Sequence, residues 1–182
     1  LRTMVGPQAP GAREMIERLA SFCRMALTRR DEAGTVREEI EMLRAYLDTE
    51  RSRWREMLEI EIAAPDAILD RRLPPFLLLP LVENAIKFGG RTSPDVLRIH
   101  MTFAAQGAEG LLITIANTGR WLTPAETADS PESTHIGIDN IRQRLRRHFP
   151  AAHEFTTTTA DGWVVATLKI GHRPAPIESR ES

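Results

Sequence analysis

Leu73-Pro-Pro-Phe-Leu-Leu-Leu-Pro-Leu-Val-Glu-Asn-Ala-Ile-Lys-Phe-Gly-Gly90 is the stretch around which the chain is organised. Pro75 suits a first helical position and Gly89 and Gly90 suit a C-terminal cap, so the stretch predicts one buried helix with a kink or restart at Pro80. Leu77, Leu78, Leu81, Ala85 and Phe88 recur at spacings of three and four, an apolar face that needs a large surface such as a sheet to pack on. Glu83, Asn84 and Lys87 interrupt it and fall together on one side of the helix. Two readings are open. They are the solvent side of an amphipathic helix, or they hold a metal-phosphate group, with Asn84 giving an oxygen to magnesium and Lys87 reaching phosphate oxygens.

Working outward, Leu58, Ile60 and Ile62 alternate with Glu59 and Glu61, which predicts a half-buried strand and a boundary near residue 57. Two strands, Val96 to Phe103 and Leu111 to Ala116, follow the helix, joined by a turn at Gln106 to Gly110. Residues 120–135 are polar and aperiodic, and a loop that long inside a compact domain is functional or disordered. Ile138, Ile141 and Leu145 restore helical spacing. Strands at Phe155 to Thr159 and Trp163 to Ile170 flank Asp161-Gly162, a strong hairpin signal. The sum is an α+β fold, a two-layer sandwich of a mixed, mainly antiparallel sheet with helices on one face.

Upstream, Ile16, Leu19, Phe22, Cys23 and Ala26 form one helical stripe, and Val36, Ile40, Leu43 and Leu47 form a second behind a Thr35/Glu38 capping box. Joined, they make an α-helical hairpin that needs a partner hairpin, in cis or from a second copy of the chain. A net charge of −1 gives no field for nucleic acid or a membrane surface. Lone Cys23 excludes an internal disulfide, and Phe76 to Val82 is too short an apolar run to span a bilayer. The chain opens with Leu1 and reads as a fragment, and His172 to Ser182 reads as a disordered tail.

Two more constellations bear on chemistry. Asn117 and Gly119 close an apolar strand in Ile113-Thr-Ile-Ala-Asn-Thr-Gly119, where Asn117 either starts a turn or reads the amino edge of a base. In His135-Ile-Gly-Ile-Asp-Asn-Ile-Arg-Gln-Arg-Leu145, Gly137 stands before a helix that Asp139 or Asn140 can cap, giving an anion site. The arginines there read as a solvated basic face or as ligands.

Leu81 to Gly89 resembles the asparagine box of the GHKL (Bergerat-type) ATP-binding domain, and Leu73 to Pro80 is similar to the lead-in of sensor histidine kinases of the LytS class. Asn117 to Trp121 resembles the first glycine box, with Asn117 in place of the usual Asp and no second glycine. Gly137 to Leu145 resembles the second glycine box, with His135 in place of its first glycine. The resemblance implies ATP and Mg2+ as ligands, with Asn84 on the metal, Lys87 on phosphate, Asn117 on adenine, and Gly119, Gly137, Ile138, Asn140 and Arg142 around the nucleotide. Glu83 is left as a base, a water-orienting group or a solvated acid. It implies a lid at Arg120 to Thr134, a partial dimerisation region over residues 1–57, and a catalytic ATP-binding domain over residues 58–171. It also implies a homodimer, a response regulator as partner, and a cytoplasmic location in a membrane-anchored protein. The acceptor-histidine motif is absent, so the acceptor is expected just upstream of Leu1. The expected activity is transfer of the ATP γ-phosphoryl group to that histidine, and a non-catalytic scaffold that dimerises and relays signal is the alternative.

Overall fold

The computed structural model describes residues 34–122, 126 and 134–171. The expected first helix with Cys23, the acceptor stub, the tail and most of the polar loop lie outside the described residues.

Chain entry is short and capped. Strand β1, Gly34–Thr35, leads into helix α1, Val36–Trp54, whose capping box is complete: Thr35 Oγ1 accepts from Glu38 N at 3.2 Å, and Thr35 N donates to Glu38 Oε2 at 3.1 Å. Such reciprocal satisfaction of orphan donors fixes the helix start. The stripe Val36, Ile40, Leu43 and Leu47 is buried. Strand β2 is Leu58–Ala63 and strand β3, Arg72–Leu73, pairs antiparallel with β1. From Gly34 onward the described residues fall in one compact unit.

Helix α2 departs from expectation at both ends. It begins at Leu79, not at Pro75, with Pro80 inside its first turn. The prolines are spent earlier, in an irregular lead-in where Phe76 has φ 59°, because the Phe76 and Leu78 N–H groups donate to Glu39 of α1 at 2.6 and 2.7 Å and so need no helical partner. At the other end Gly89 and Gly90 do not cap. Leu79–Asn84 widens into a π-type turn over Ala85–Gly89 and closes with Gly90–Thr92, both glycines keeping helical dihedrals. They are needed for close approach instead. A Cβ at Gly89 would lie 2.7 Å from Leu97 Cδ1, and one at Gly90 would lie 2.1 Å from Trp54 Cη2.

Strand β4, Leu97–Gln106, and β5, Gly110–Thr118, form a hairpin; helix α3, Thr134–His148, precedes the hairpin of β6, His153–Ala160, and β7, Trp163–Ile170. Asp161 and Gly162 turn with φ 50° and 76°, as a tight hairpin of matching twist requires. The sheet runs β2-β4-β5-β7-β6, and only the β2/β4 pair, in register Leu58↔Leu97, is parallel. Leu97, Ile99, Met101 and Phe103 of β4, Leu111, Ile113 and Ile115 of β5, and Leu168 of β7 form the buried side. Ile138, Ile141 and Leu145 of α3 join that core with Leu81, Val82 and Ala85 of α2. The sandwich is the expected α+β one. One detail is corrected: α3 starts at Thr134, so Gly137 stands inside its first turns and neither Asp139 nor Asn140 is its cap.

Candidate nucleotide site

Two openings meet at Asn84. One is a cavity of about 50 Å³ under α2, bordered by Leu81, Asn84, Asn117, Trp121 and Ile138 and floored by Ala166 of β7. The other is a cleft of about 910 Å³ on the far side of Asn84, bordered by Tyr46, Glu83, Lys87, Gly137 and Asn140. Asn84 is the sequence-picked polar residue that borders both.

The helices bring these groups together by close approach. Gly137 of α3 lies against Asn84, so that a Cβ there would be 3.4 Å from Nδ2 and 3.9 Å from Oδ1. Gly89 does the same for Asn117, whose Nδ2 would be 2.8 Å from an added Cβ. Asn117 is 7% exposed, and its Nδ2 donates to Thr118 O at 2.8 Å. That leaves the amide oxygen as an acceptor and the second N–H as a donor.

Sequence reasoning missed the bracing of this corner. Gly119 has φ 118° and its N–H donates to Gly162 O at 2.8 Å. Thr92, the last residue of α2, holds the turn: its Oγ1 donates to Phe88 O at 2.9 Å and accepts from Arg120 N at 3.1 Å. Ser93 Oγ and Thr118 Oγ1 are 2.7 Å apart. A Thr-Ser pair after two glycines carries no sequence signal of such a role. Trp121, 44% exposed, and Leu122 border the small cavity, and Arg120 forks onto Glu126 of the polar loop.

Not every picked residue enters the site. Gly119 borders neither opening and acts through Thr92. Arg142 turns toward β6, 3.5 Å from Asp139 and 5.9 Å above the Phe155 ring. Lys87 borders the cleft, with its Nζ 5.2 Å from the Phe88 ring centroid. The Tyr46 hydroxyl, beside Glu50 and Glu83, is held well above its ordinary range first by burial and then by those two acids, so it stays protonated and can donate. His100 lies against Trp163 on the other face of the sheet, and His153 Nδ1 contacts Phe149 O; with His148, neither borders either opening.

Among the described residues no three of His, Cys, Asp or Glu are grouped to hold a metal ion by themselves. A hard cation at Asn84 would complete its shell with waters or with phosphate oxygens of a bound ligand. The glycine facing Asn84 and the ammonium one helical turn away suit such a ligand.

A family model described as Histidine kinase matches residues 1–58. Over 174 residues the chain is 30% identical to the sensor histidine kinase BtsS of Escherichia coli (strain K12), covering 95% of this chain and 30% of that one. It is 30% identical over 159 residues to the sensor histidine kinase/phosphatase LytS of Staphylococcus aureus (strain Mu50), covering 82% of this chain and 27% of that one. The chain thus spans less than a third of the length of these curated relatives. The catalytic domain of histidine kinase ThkA superposes with a TM-score of 0.56 at 16% identity, over 79% of this chain and 99% of that one. The same kinase, solved in complex with the response regulator protein TrrA, gives 0.52 at 17% identity, over 92% and 52%. At such identities the solved structures establish the fold.

Proposed function

The chain is a relative of the LytS-like sensor histidine kinases and has the fold of a histidine kinase catalytic domain, and from that premise we propose that it binds ATP with magnesium and donates the γ-phosphoryl group to a histidine. The observation that carries the reading is the position of Asn84, bordering both the adenine-side cavity and the cleft of Lys87, with Gly137 against it.

In this reading the Asn117 amide oxygen accepts from the adenine amino group, while Leu81 and Ile138 supply apolar walls. Lys87 and the Gly137 backbone meet the phosphates, and Asn140, on the same cleft, approaches them from α3. Asn84 holds magnesium, which neutralises charge on the phosphate oxygens when bound. The bond between the γ-phosphorus and its bridging oxygen breaks as an imidazole nitrogen bonds to phosphorus, and ADP leaves. The protein's contribution is positioning and charge neutralisation. Glu83, beside Tyr46 on the cleft, acts as a base or a water-orienting group. Residues 1–57 serve dimerisation with a second copy, residues 58–171 serve nucleotide binding, and a response-regulator aspartate receives the phosphoryl group. The parent protein is membrane-anchored, with this part on the cytoplasmic side.

A second reading is favoured by one observation. The small cavity has room for only a few waters, and Trp121 stands where the family's second glycine is expected. A scaffold that relays signal without nucleotide fits that. Calorimetry with MgATP on this chain and on Asn84→Ala separates the two. Micromolar binding that Asn84→Ala weakens at least tenfold, about 1.4 kcal/mol, supports the kinase reading. A folded parent that binds nothing up to about millimolar, about −4 kcal/mol, refutes it and leaves the scaffold.

A further inference from the structure

We propose that Glu39 and Arg144 are positioning residues for the nucleotide site: together they clamp the Pro75–Leu78 backbone and so set where α2 presents Asn84 and Lys87 to Gly137 and Asn140 of α3. The inference rests on the assignment of those four residues to the nucleotide, given above.

Four backbone groups of one irregular segment are satisfied by two side chains from two different helices. Glu39 of α1 is 2% exposed; its Oε2 accepts from Phe76 N at 2.6 Å and its Oε1 from Leu78 N at 2.7 Å. Arg144 of α3 donates through Nη1 to Phe76 O at 2.5 Å and through Nη2 to Pro75 O. Between these grips Phe76 holds φ 59°, a conformation costly for a residue with a Cβ and stable only where its surroundings enforce it.

The clamp and the site share both helices. Leu78 O accepts from Leu81 N at 3.0 Å and from Val82 N at 3.2 Å, so the residue Glu39 grips is also the first acceptor of α2. Asn84 follows less than two turns later. On α3, Gly137 and Arg144 are seven residues apart, two turns, and so lie on one face. α3 therefore holds the lead-in to α2 at the clamp and touches α2 itself at the Asn84–Gly137 contact, so the clamp constrains how α2 is set against α3. Because the acid belongs to α1, a shift of α1 relative to the sheet alters the same geometry.

The test uses the 182-residue chain with Glu39→Gln and Arg144→Lys. Gln keeps the shape but turns an NH2 toward one of the two N–H groups; Lys keeps the charge but lacks the fork that spans two carbonyls. Leu168→Ala, in the core of β7, is the comparison for plain destabilisation. Both clamp variants are expected to weaken MgATP binding at least tenfold and to speed amide exchange across Ala85–Thr92, with Arg144→Ala worse than Arg144→Lys. Leu168→Ala is expected to lower Tm and leave Kd within about twofold when measured well below that Tm. Unchanged affinity in the clamp variants, or an equal loss in Leu168→Ala at matched Tm, overturns the proposal. If the parent itself binds no MgATP, the kinase reading fails separately, and the exchange data still decide: unaltered α2 exchange in both clamp variants refutes the clamp.

Discussion

Gly119→Ala should damage the corner of the site through a single neighbour, and a double-mutant cycle can isolate that neighbour. The residue sits at φ 118°, where an alanine is strained by about 1–3 kcal/mol. The new Cβ would lie 2.3 Å from Thr92 Oγ1, so the hydroxyl must move and give up its bonds to Phe88 O and Arg120 N, each worth about 1 kcal/mol. The single variant should therefore lose about 3–5 kcal/mol of unfolding free energy. Thr92→Ala loses the same two bonds, about 1–2 kcal/mol, but removes the atom that Cβ strikes. In the double variant only the strain adds. Urea unfolding followed by circular dichroism should then give a double variant about 1–2 kcal/mol more stable than the sum of the single losses predicts. Additivity within about 0.5 kcal/mol would show that Thr92 is not what Gly119 makes room for.

Two further predictions concern charge and light. Burial pushes the Glu39 carboxyl up from 4.5 to about 7, against the Leu78 and Phe76 N–H groups and the Arg144 charge that favour its ionised form. A folded value above the unfolded one gives stability that is full below pH 4.5 and is lost as pH rises through about 7; at about 1.4 kcal/mol per unit the loss is roughly 3 kcal/mol. Glu39→Gln should lack this slope, and parallel pH profiles for parent and variant would count against it. Trp121 borders the small cavity, Trp54 borders the cleft and Trp163 borders neither. In a Trp54→Phe background nucleotide should shift the emission, and adding Trp121→Phe should abolish the shift; a shift that persists in the double variant would place the base elsewhere.

Local chemistry made much of the fold legible. The Thr35/Glu38 box, the alternation of Leu97, Ile99, Met101 and Phe103, and Asp161-Gly162 each state their geometry within a few residues. What was illegible depended on contacts distant in sequence. Pro75 has the dihedral preference of a helix start, but Glu39 satisfies the N–H groups that follow it, so the helix waits until Leu79. A glycine pair can end a helix or admit a neighbour, and only the presence of Leu97 and Trp54 distinguishes the two at Gly89 and Gly90. Period-two alternation does not encode strand direction, which hid the parallel pairing of β2. For the candidate site, Asn84, Lys87 and Asn117 stand out in sequence because polar groups interrupt apolar runs. Thr92 and Trp121 offered no such contrast.

The parallel pairing has a kinetic meaning. β4 reaches β5, and β6 reaches β7, over short turns, whereas the Leu58↔Leu97 register closes the whole chain between those residues. On a (3/2)RT ln n scale that closure costs about 3 kcal/mol before any pairing repays it. The enclosed segment is the one that bears Asn84 and Lys87, so the hairpins can assemble while those side chains have no sheet to rest on. Under the proposed function, competence for nucleotide is then a late acquisition during folding, and detachment of the β2 edge would be enough to abolish it while most of the sheet persists.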